Sequence, residues 1–280
     1  MEYYEVLGFF KEPFTTTPDP NSFYRSPLHE DGLNRLEIAV RNQEGLCVII
    51  GDVGTGKTTM SHVLVQSLGE ASDRERFVTQ MIKDPKFPTE YMFLKKLNSL
   101  FYTKGPTNSE FNCKETFKTY LNKMDEAHQI VTLIIDEGHD IPPKILRVLR
   151  MLLNHEMTDH KLLNIIIFGQ DDIIPMLKRH KNFHNRIEVM YVVNPLSKDQ
   201  TIKMIQERIR NAGRQNELFT DEAYDVITQT SNIPRDVVKM CKNATKIHAA
   251  NLPHADTLID RYIAQTAVDE LPKTILEDDT

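Results

Sequence analysis

The sequence predicts an α/β fold in which helices sandwich a parallel sheet, followed by a small subdomain made of helices alone. Apolar strand patterns alternate with amphipathic helix patterns as far as Pro195, and such alternation is typical of a parallel sheet covered on both faces. Beyond Pro195 only helix patterns remain. A glycine-rich segment of the form G-x-x-x-x-G-K-T follows the first strand pattern, and a loop of this spacing binds phosphate.

The first part of the chain begins with an arm and then alternates helices with strands. Prolines and aromatic residues are frequent in 1–30, and proline disfavours a helix interior, so we predict an extended arm. Apolar residues at helical spacing predict a helix over 29–42, ahead of the first strand at 46–50. The patterns that follow predict a helix from the glycine-rich loop to 68, a strand at 76–82, helices at 90–101 and 114–127, a strand at 130–135, a helix at 142–155, and strands at 162–168 and 188–193.

The region after Pro195 is predicted to be helical. Ser197 and Thr220 have the side chains and spacing of capping residues at the starts of two helices. The helix patterns cover 197–211, 220–230, 234–251 and 256–268. We therefore expect four parts, namely an extended arm (1–30), an α/β core (31–195), a helical subdomain (196–268) and an acidic tail (269–280).

Net charge, cysteine spacing and hydropathy argue against several classes of protein. The net charge is −6, so nucleic-acid binding would need a local basic patch. Cys47, Cys113 and Cys241 lack the paired spacing of a zinc site, and unpaired cysteines fit a reducing compartment. The N-terminus lacks the pattern of a signal peptide, and no uncharged apolar run approaches the ~20 residues that span a membrane. We expect a cytoplasmic protein without membrane insertion.

The residue types in the glycine-rich loop suit phosphate chemistry. Gly54 and Gly56 allow sharp turns that direct backbone N–H groups at phosphate oxygens, and the following helix adds its positive end. We expect the Lys57 ammonium to reach the β- and γ-phosphates and the Thr58 hydroxyl to bind Mg²⁺. The predicted nucleotide-binding segment comprises Gly51, Asp52, Val53, Gly54, Thr55, Gly56, Lys57, Thr58 and Thr59.

Two carboxylates follow another buried strand. The segment VTLIIDEGHD places Asp136 and Glu137 at the carboxyl end of that strand, where ligands bind in α/β folds. Adjacent carboxylates are costly without a cation, so we predict that Asp136 holds Mg²⁺ through water and that Glu137 orients the attacking water. The alternative is an acidic turn without chemistry, and the glycine-rich loop upstream favours the catalytic interpretation.

Three more polar side chains are candidates for the same site. Gln170 follows the next strand, where it could contact the γ-phosphate or be an ordinary loop glutamine. Arg186 precedes the last strand and could reach a neighbouring subunit's γ-phosphate as an arginine finger, or form a surface ion pair. Arg235 opens a helix of the helical subdomain, behind Pro234, and could contact the phosphates and couple that subdomain to the nucleotide.

Taken together, these motifs resemble those of the ExeA-type AAA+ ATPases. The matching segments, in order over 4–250, are GFFKEPFTTTPDPNSFYRS, LHEDGLNRLEIAV, GDVGTGKTT, LIIDEGHD, IIIFGQDDI, HNRI and IPRDVVKMC. The resemblance implies an AAA+ P-loop NTPase fold with a helical lid, ATP and Mg²⁺ as cofactors, and a homo-oligomer, either a ring or a helical filament. The roles it implies are Walker A for Lys57 and Thr58, Walker B for Asp136 and Glu137, first sensor for Gln170, arginine finger for Arg186 and second sensor for Arg235.

The chain departs from the family's pattern at two places. The family usually has DEAQ where residues 136–139 read DEGH, which keeps the carboxylate pair and alters the residues that follow it. The glycine that usually precedes I-P-R is Asn232 here, and we expect it to adopt the left-handed conformation that asparagine tolerates.

The resemblance leaves the biological role open. Secretion and pilus members typically continue into a transmembrane helix and an envelope-binding domain, which this sequence does not contain. Our first prediction is therefore a transposition regulator of the TnsC, TniB, MuB and IstB kind, which assembles with ATP on double-stranded DNA, recruits a transposase or target-selector protein, and disassembles on hydrolysis. The alternative is a cytosolic assembly ATPase of a type II secretion or pilus system. A third possibility, a switch of the origin-recognition or STAND type, is weakened by the intact Glu137.

Basic stretches at 91–104, 144–150 and 175–187 could supply a DNA surface. Each alone is more often a solvated face, but a ring would repeat a few lysines around one channel, where contacts to backbone phosphates add up. The DNA-binding candidates are Lys95, Lys96, Lys104, Lys114, Lys118 and Lys123, and the candidates for packing on adenine are Phe23, Tyr24 and His29.

Overall fold

The strand that precedes the glycine-rich loop lies inside a parallel sheet. The computed structural model describes residues 2–17, 19–251 and 257–271. The strands within these residues are β1 (Leu46–Gly51), β2 (Phe77–Ile82), β3 (Ile130–Ile135), β4 (Asn164–Gly169) and β5 (Ile187–Val193). Their order in the sheet is β2-β3-β4-β1-β5, and every pairing is parallel.

Apolar composition explains which strands are central. Every residue of β1, β3 and β4 is buried, as expected for near-continuous runs of isoleucine, leucine and valine in a parallel sheet. At one margin, β5 alternates half-buried with exposed residues as far as Val192. At the other margin, β2 is half-buried until Ile82. The three central strands are therefore the fully buried ones, and polar residues that follow them start from the interior of the sheet.

Helices flank this sheet and share its apolar core. Phe93, Phe117 and Leu149 are fully buried in one cluster with the strands, and each such side chain stabilises the fold by about 1.5–3 kcal/mol. The helices of this unit are α1 (Pro27–Arg41), α2 (Lys57–Glu70), α3 (Glu90–Leu100), α4 (Glu110–Glu126), α5 (Pro143–Leu152), α6 (Ile173–Arg179) and α7 (Lys181–His184).

A second unit consists of helices and has its own apolar core. Its helices are α8 (Lys198–Asn211), α9 (Asp221–Thr230), α10 (Pro234–Asn251) and α11 (Arg261–Asp269). Leu7, Phe9 and Phe14, from the N-terminal segment, are buried in this core. The helical unit comprises the described residues of Met1–Ser26, Gly54–Gly56 and Asn194–Thr280, and the α/β unit comprises Pro27–Val53 and Lys57–Val193.

Several boundaries differ from the predicted ones because local caps decide them. Helix α4 begins at Glu110 rather than at 114, since the Ser109 hydroxyl accepts a hydrogen bond from the Asn112 N–H at 3.1 Å. Helix α11 begins at Arg261 rather than at 256, since the Asp260 carboxylate caps it. The sequence patterns do not predict helices α6 and α7. The first residue of the last predicted helix (256) and most of the predicted acidic tail (272–280) lie outside the described residues.

The prediction of a left-handed Asn232 is wrong. Its φ is not positive, and its carboxamide instead joins two helices. The Asn232 side-chain oxygen accepts a hydrogen bond from Thr201 at 2.8 Å, and its amide donates to the Thr228 carbonyl at 2.9 Å. The side chain of Asn232 therefore ties α8 to the last turn of α9. In the part of the chain that the structure describes, no helix has the length and apolar character needed to cross a bilayer.

Candidate nucleotide site

The strand order brings the predicted site residues to one edge of the sheet. Strands β3, β4 and β1 are consecutive neighbours. Because they are parallel, their carboxyl ends meet at the same edge, which we call the sheet edge. The glycine-rich loop leaves β1 there, Asp136 follows β3 directly, and Gln170 follows β4 directly. Residues far apart in sequence are thus gathered by topology.

The glycine-rich loop has the backbone that phosphate binding requires. Gly54 and Gly56 have φ values of +88° and +102°, which residues with a side chain rarely adopt. Helix α2 begins at Lys57, so its positive end faces the loop. The Lys57 ammonium is buried within the loop, where it donates to the carbonyl oxygens of Gly51 and Asp52, each at 2.7 Å.

The donors near the loop fit Mg²⁺ bound together with a triphosphate. Thr58 supplies a hydroxyl in the first turn of α2, and Asp136 supplies a carboxylate that is only 4% exposed. One carboxylate and one hydroxyl suit Mg²⁺, which usually takes few protein ligands and completes its shell with phosphate oxygens and water. Among the residues that the structure describes, no cluster of three His, Cys, Asp or Glu forms a separate metal site.

Glu137, His139 and Gln170 form a polar cluster at the sheet edge. Glu137 has a φ of +51°, and its side chain is half exposed. The His139 Nδ1 lies 3.6 Å from the Glu137 Oε2, and its Nε2 lies 3.1 Å from the Gln170 amide nitrogen. Asp136 accepts a hydrogen bond from the Glu137 N–H at 3.0 Å. The two carboxylates therefore have different surroundings, one buried and one beside an imidazole.

Arg186 lies elsewhere in the α/β unit, in an open groove. The groove has two connected parts, with volumes of about 380 and 420 Å³, which share Arg150 and Asn182. No acidic residue is among its described lining residues. We call it the basic groove and define it by the cations Arg147, Arg150, Arg179, Lys181 and Arg186. Arg147 approaches Glu90 at 3.4 Å, while the other four form no ion pair with any described residue.

Arg235 contacts the part of the loop that groups with the helical unit. Its backbone N–H donates to the Gly54 carbonyl at 3.2 Å. A Cβ atom on Gly54 would lie 2.8 Å from the Arg235 Cβ and 2.9 Å from the Ile233 Cγ2, so a side chain at Gly54 is excluded. Arg235 as a whole is exposed.

The predicted DNA-binding lysines lie on or beside α3 and α4, with differing availability. Lys95, Lys96, Lys104, Lys118 and Lys123 are exposed. Lys114 is half-buried and bonds to Glu110 at 2.6 Å. Two large apolar side chains stand out between them, with Tyr102 84% and Phe111 71% exposed. The packing of Phe23, Tyr24 and His29 on adenine stays a prediction.

Sequence reasoning assigns no role to two histidines near the predicted site. The sequence marks His139 only as a departure from the family's motif, through the letter H in DEGH. His62, on α2, feels the charge of Asp136; burial lowers the pKa of His62, nearby Lys83 lowers it further, and Asp136 opposes both. Nothing in the sequence marks His62, because only the packing of α2 reveals its neighbours.

The chain is similar in sequence to known ATPase domains. A family model described as an AAA domain matches residues 40–177. General secretion pathway protein A of Aeromonas hydrophila is 28% identical over 248 residues, which cover 86% of this chain and 44% of that protein. The chain therefore spans less than half the length of this curated relative. Arg186 and Arg235 lie outside the family match.

Solved structures share the fold at low sequence identity. The Aeropyrum pernix ORC2 protein has a TM-score of 0.71 and 15% identity, covering 98% of this chain and 76% of that chain. The Aeropyrum pernix ORC1 protein, solved in complex with DNA, has a TM-score of 0.66 and 16% identity, covering 94% and 70%. At this identity the likeness concerns the fold alone.

These comparisons confirm the AAA+ P-loop NTPase fold with a parallel sheet, flanking helices and a C-terminal helical region. The match to an AAA domain supports the prediction of an ATP hydrolase. The secretion protein supports the ExeA-type resemblance, whereas the resemblance to transposition regulators receives no support. The role in a type II secretion or pilus system, which was the alternative, is therefore better supported than the role in transposition.

Proposed function

We propose that this chain is an ATP-driven assembly module of a secretion or pilus system, similar in role to general secretion pathway protein A. The similarity over 86% of the chain carries the role. The meeting of the β1, β3 and β4 ends at one edge carries the chemistry. The role of the whole relative extends beyond what this chain covers, so the proposal concerns the ATPase module.

In this proposal the sheet edge binds and hydrolyses ATP. The loop amides and Lys57 hold the phosphates, while Thr58 and Asp136 hold Mg²⁺, which neutralises charge on the phosphates when bound. Glu137 orients and polarises the attacking water, and Gln170 contacts the γ-phosphate. The burial of Asp136 beside an accessible Glu137 supports this division of labour, because a metal ligand needs fixing and a water-orienting group needs access to solvent.

We further propose that hydrolysis requires an assembly of several copies. Arg186 shares its part of the basic groove with Arg150 and three asparagines, and the described lining there contains no acid. A guanidinium in such a groove suits a phosphate supplied by another molecule. The γ-phosphate of a neighbouring copy is the phosphate that the resemblance implies. Arg235, held at Gly54 through its backbone, would report the nucleotide to the helical unit.

A second candidate is an assembly on double-stranded DNA that recruits a transposase, and the exposed surface of α3 and α4 supports its DNA-binding part. Exposed lysines, which can contact backbone phosphates, lie beside exposed aromatic rings, which can also contact nucleic acid. The ORC1 structure shows a protein of this fold with DNA. Lys114 contributes less than the other lysines, because Glu110 already neutralises it.

One set of measurements tests the proposal. ATP turnover per chain is followed as protein concentration rises, and particle mass is measured with and without ATP. We expect turnover per chain to rise with concentration and ATP to increase the mass. Glu137→Gln should retain ATP binding, lose at least ~100-fold in turnover and accumulate as the assembled form. Concentration-independent turnover by monomers, or normal turnover by Glu137→Gln, would contradict the proposal.

A DNA-binding arm separates the two candidates. Fluorescence anisotropy with a labelled duplex is measured with ATP between about 50 and 200 mM salt. The combined variant Lys95→Ala, Lys96→Ala and Lys104→Ala is compared with Lys203→Ala, a lysine on α8. Affinity that falls steeply with salt and is lost only in the combined variant favours the DNA candidate. Absence of binding at low salt leaves the secretion role.

A further inference from the structure

His139 links the two side chains on which hydrolysis is proposed to depend. It lies in the short 3₁₀ turn Gly138–Asp140 that directly follows the carboxylate pair. Its side chain is only 16% exposed, with one ring nitrogen toward Gln170 and the other toward Glu137. The imidazole therefore stands between a carboxamide and a carboxylate that belong to different strand ends.

The hydrogen-bond roles of the ring follow from its neighbours. The Gln170 amide nitrogen can only donate, so at 3.1 Å it donates to the Nε2 of His139, which must be unprotonated. The ring proton then lies on Nδ1. Among the described groups this buried nitrogen has no hydrogen-bond partner. The Glu137 Oε2 lies 3.6 Å away, so a small rotation of that carboxylate completes an N–H···O bond.

The glycine before His139 explains how the turn comes this close to β4. A Cβ atom on Gly138 would overlap the Ile167 Cγ2 and lie 3.1 Å from the Phe168 carbonyl oxygen. Only glycine therefore lets the turn pack directly on the end of β4, the strand that Gln170 follows. The two departures from DEAQ act together, because Gly138 provides the close approach and His139 makes the contact.

We propose that His139 is a positioning residue, which holds the carboxylate of Glu137 in register with the carboxamide of Gln170 so that both act as one unit. This inference rests on the proposed function, in which Glu137 orients water and Gln170 contacts the γ-phosphate. The imidazole accepts from Gln170 and donates to Glu137. Contact between Gln170 and the phosphate thereby fixes the carboxylate for attack.

Substitutions at His139 separate this role from simple packing. His139→Leu fills similar space but offers no hydrogen bond, whereas His139→Gln can both donate and accept. We expect His139→Leu to lower kcat roughly tenfold or more, because small misplacements of catalytic groups are costly. KM and the affinity for a fluorescent ATP analogue should stay within about twofold. His139→Gln should keep kcat within about threefold of the unmodified protein.

A double-mutant cycle with Gln170→Ala tests the coupling directly. If His139 acts through Gln170, the double variant His139→Leu with Gln170→Ala should be no slower than the slower single variant. Multiplicative losses, or equal kcat for His139→Leu and His139→Gln, would overturn the inference. Should His139→Leu fail to fold, His139→Asn replaces it, since this polar side chain is too short to reach both partners and should also lower kcat.

Glu137→Gln distinguishes failure of this inference from failure of the proposed function. If Glu137→Gln retains turnover, the proposed hydrolytic role of Glu137 is wrong and His139 has nothing to position. If Glu137→Gln loses turnover while His139→Leu keeps it, the proposed function stands and only the inference falls. Thermal unfolding of each variant shows that the comparison is made between folded proteins.

Discussion

The sheet edge and the basic groove differ in whether their charged side chains have partners within the chain. At the sheet edge the chain supplies partners for its own charged groups, since Lys57 bonds to two carbonyls and Asp136 accepts a backbone N–H. In the basic groove, Arg150 and Arg186 have no acidic partner among the described residues. At the sheet edge these partners come from the same chain, while the basic groove leaves its arginines available to an anion from outside. Nucleotide binding should therefore belong to each chain, and turnover to the assembly.

Lys57→Ala should have the largest effect, and it tests whether a single chain binds the nucleotide through its own residues. The substitution removes the cation expected on the β- and γ-phosphates and leaves the Gly51 and Asp52 carbonyls without their shared donor. We expect ATP affinity to fall at least ~100-fold in the isolated chain, measured by titration with a fluorescent analogue. Unchanged affinity would show that the loop is not the nucleotide site.

Arg186→Ala should have the second-largest effect, and it tests whether turnover needs a neighbouring chain. We expect turnover to fall ~100-fold or more while ATP affinity changes little, since a finger acts on the neighbour's phosphate. Arg179→Ala, which removes a cation from the other part of the groove, is the matched control and should keep most turnover.

Mixing two inactive variants sharpens this test. Glu137→Gln chains retain Arg186, and Arg186→Ala chains retain Glu137, so mixed assemblies contain some interfaces with both groups intact. We expect turnover to recover to a sizeable fraction of the normal value on mixing. If the mixture is as inactive as its components, the two residues do not meet across an interface.

The contrast between the two regions also shows what the sequence reveals. The sheet-edge residues follow buried strands, so periodicity and spacing alone place Asp136 and Gln170 at strand ends. Topology then puts these ends together, because β3, β4 and β1 are neighbours. For the basic groove, the sequence shows only two separate basic stretches, 144–150 and 175–187, and nothing in it indicates that they meet. Arg147 and Arg150 belong to α5, whereas Arg179 and Lys181 belong to α6 and α7, which the sequence patterns do not predict as helices.

Side-chain contacts between distant elements could not be predicted from the sequence. Asn232 reads as a substitute for a left-handed glycine, yet its carboxamide bonds to Thr201 and Thr228, and this choice depends on how α8 and α9 pack. In the sequence, His139 is only a departure from the DEAQ motif. In the structure, Gly138 allows the turn that carries His139 to reach the end of β4. The sequence pattern shows which residue is unusual, but only the packing of the folded chain explains what its side chain does.

Gly138→Ala should have a moderate effect that concerns stability as well as turnover. The added methyl group meets Ile167 and the Phe168 carbonyl, which are fixed in the central sheet. Overpacking of this kind costs about 1–3 kcal/mol. Urea unfolding should show this loss, and turnover should fall because His139 is pushed away from Gln170. Gly69→Ala, on α2 with open space around it, is the control and should not lower stability.

His160→Gln should have the smallest effect, and it tests a cation whose partners lie within the chain, away from the sheet edge. His160 precedes β4, at the opposite end of the strand from Gln170, and its ring nitrogens lie 2.8 Å from Asp125 and Asp159. The hydrogen bond to Asp125 raises the pKa of His160 despite partial burial, and Asp159 adds to this. Stability from this pair is thus present below the unfolded pKa of about 6.5 and lost as pH rises through the higher folded pKa.

His160→Gln should therefore destabilise the protein by up to about 1 kcal/mol near pH 6 and by much less near pH 9. Urea midpoints of both proteins at the two pH values measure this difference. Because the cation is already paired, ATP should not alter the pH dependence, in contrast to the groove arginines, whose contribution needs an outside phosphate. Equal destabilisation at both pH values would mean that the imidazole is not charged in this pair. A pH dependence that ATP abolishes would mean that the opposite ends of the sheet are coupled.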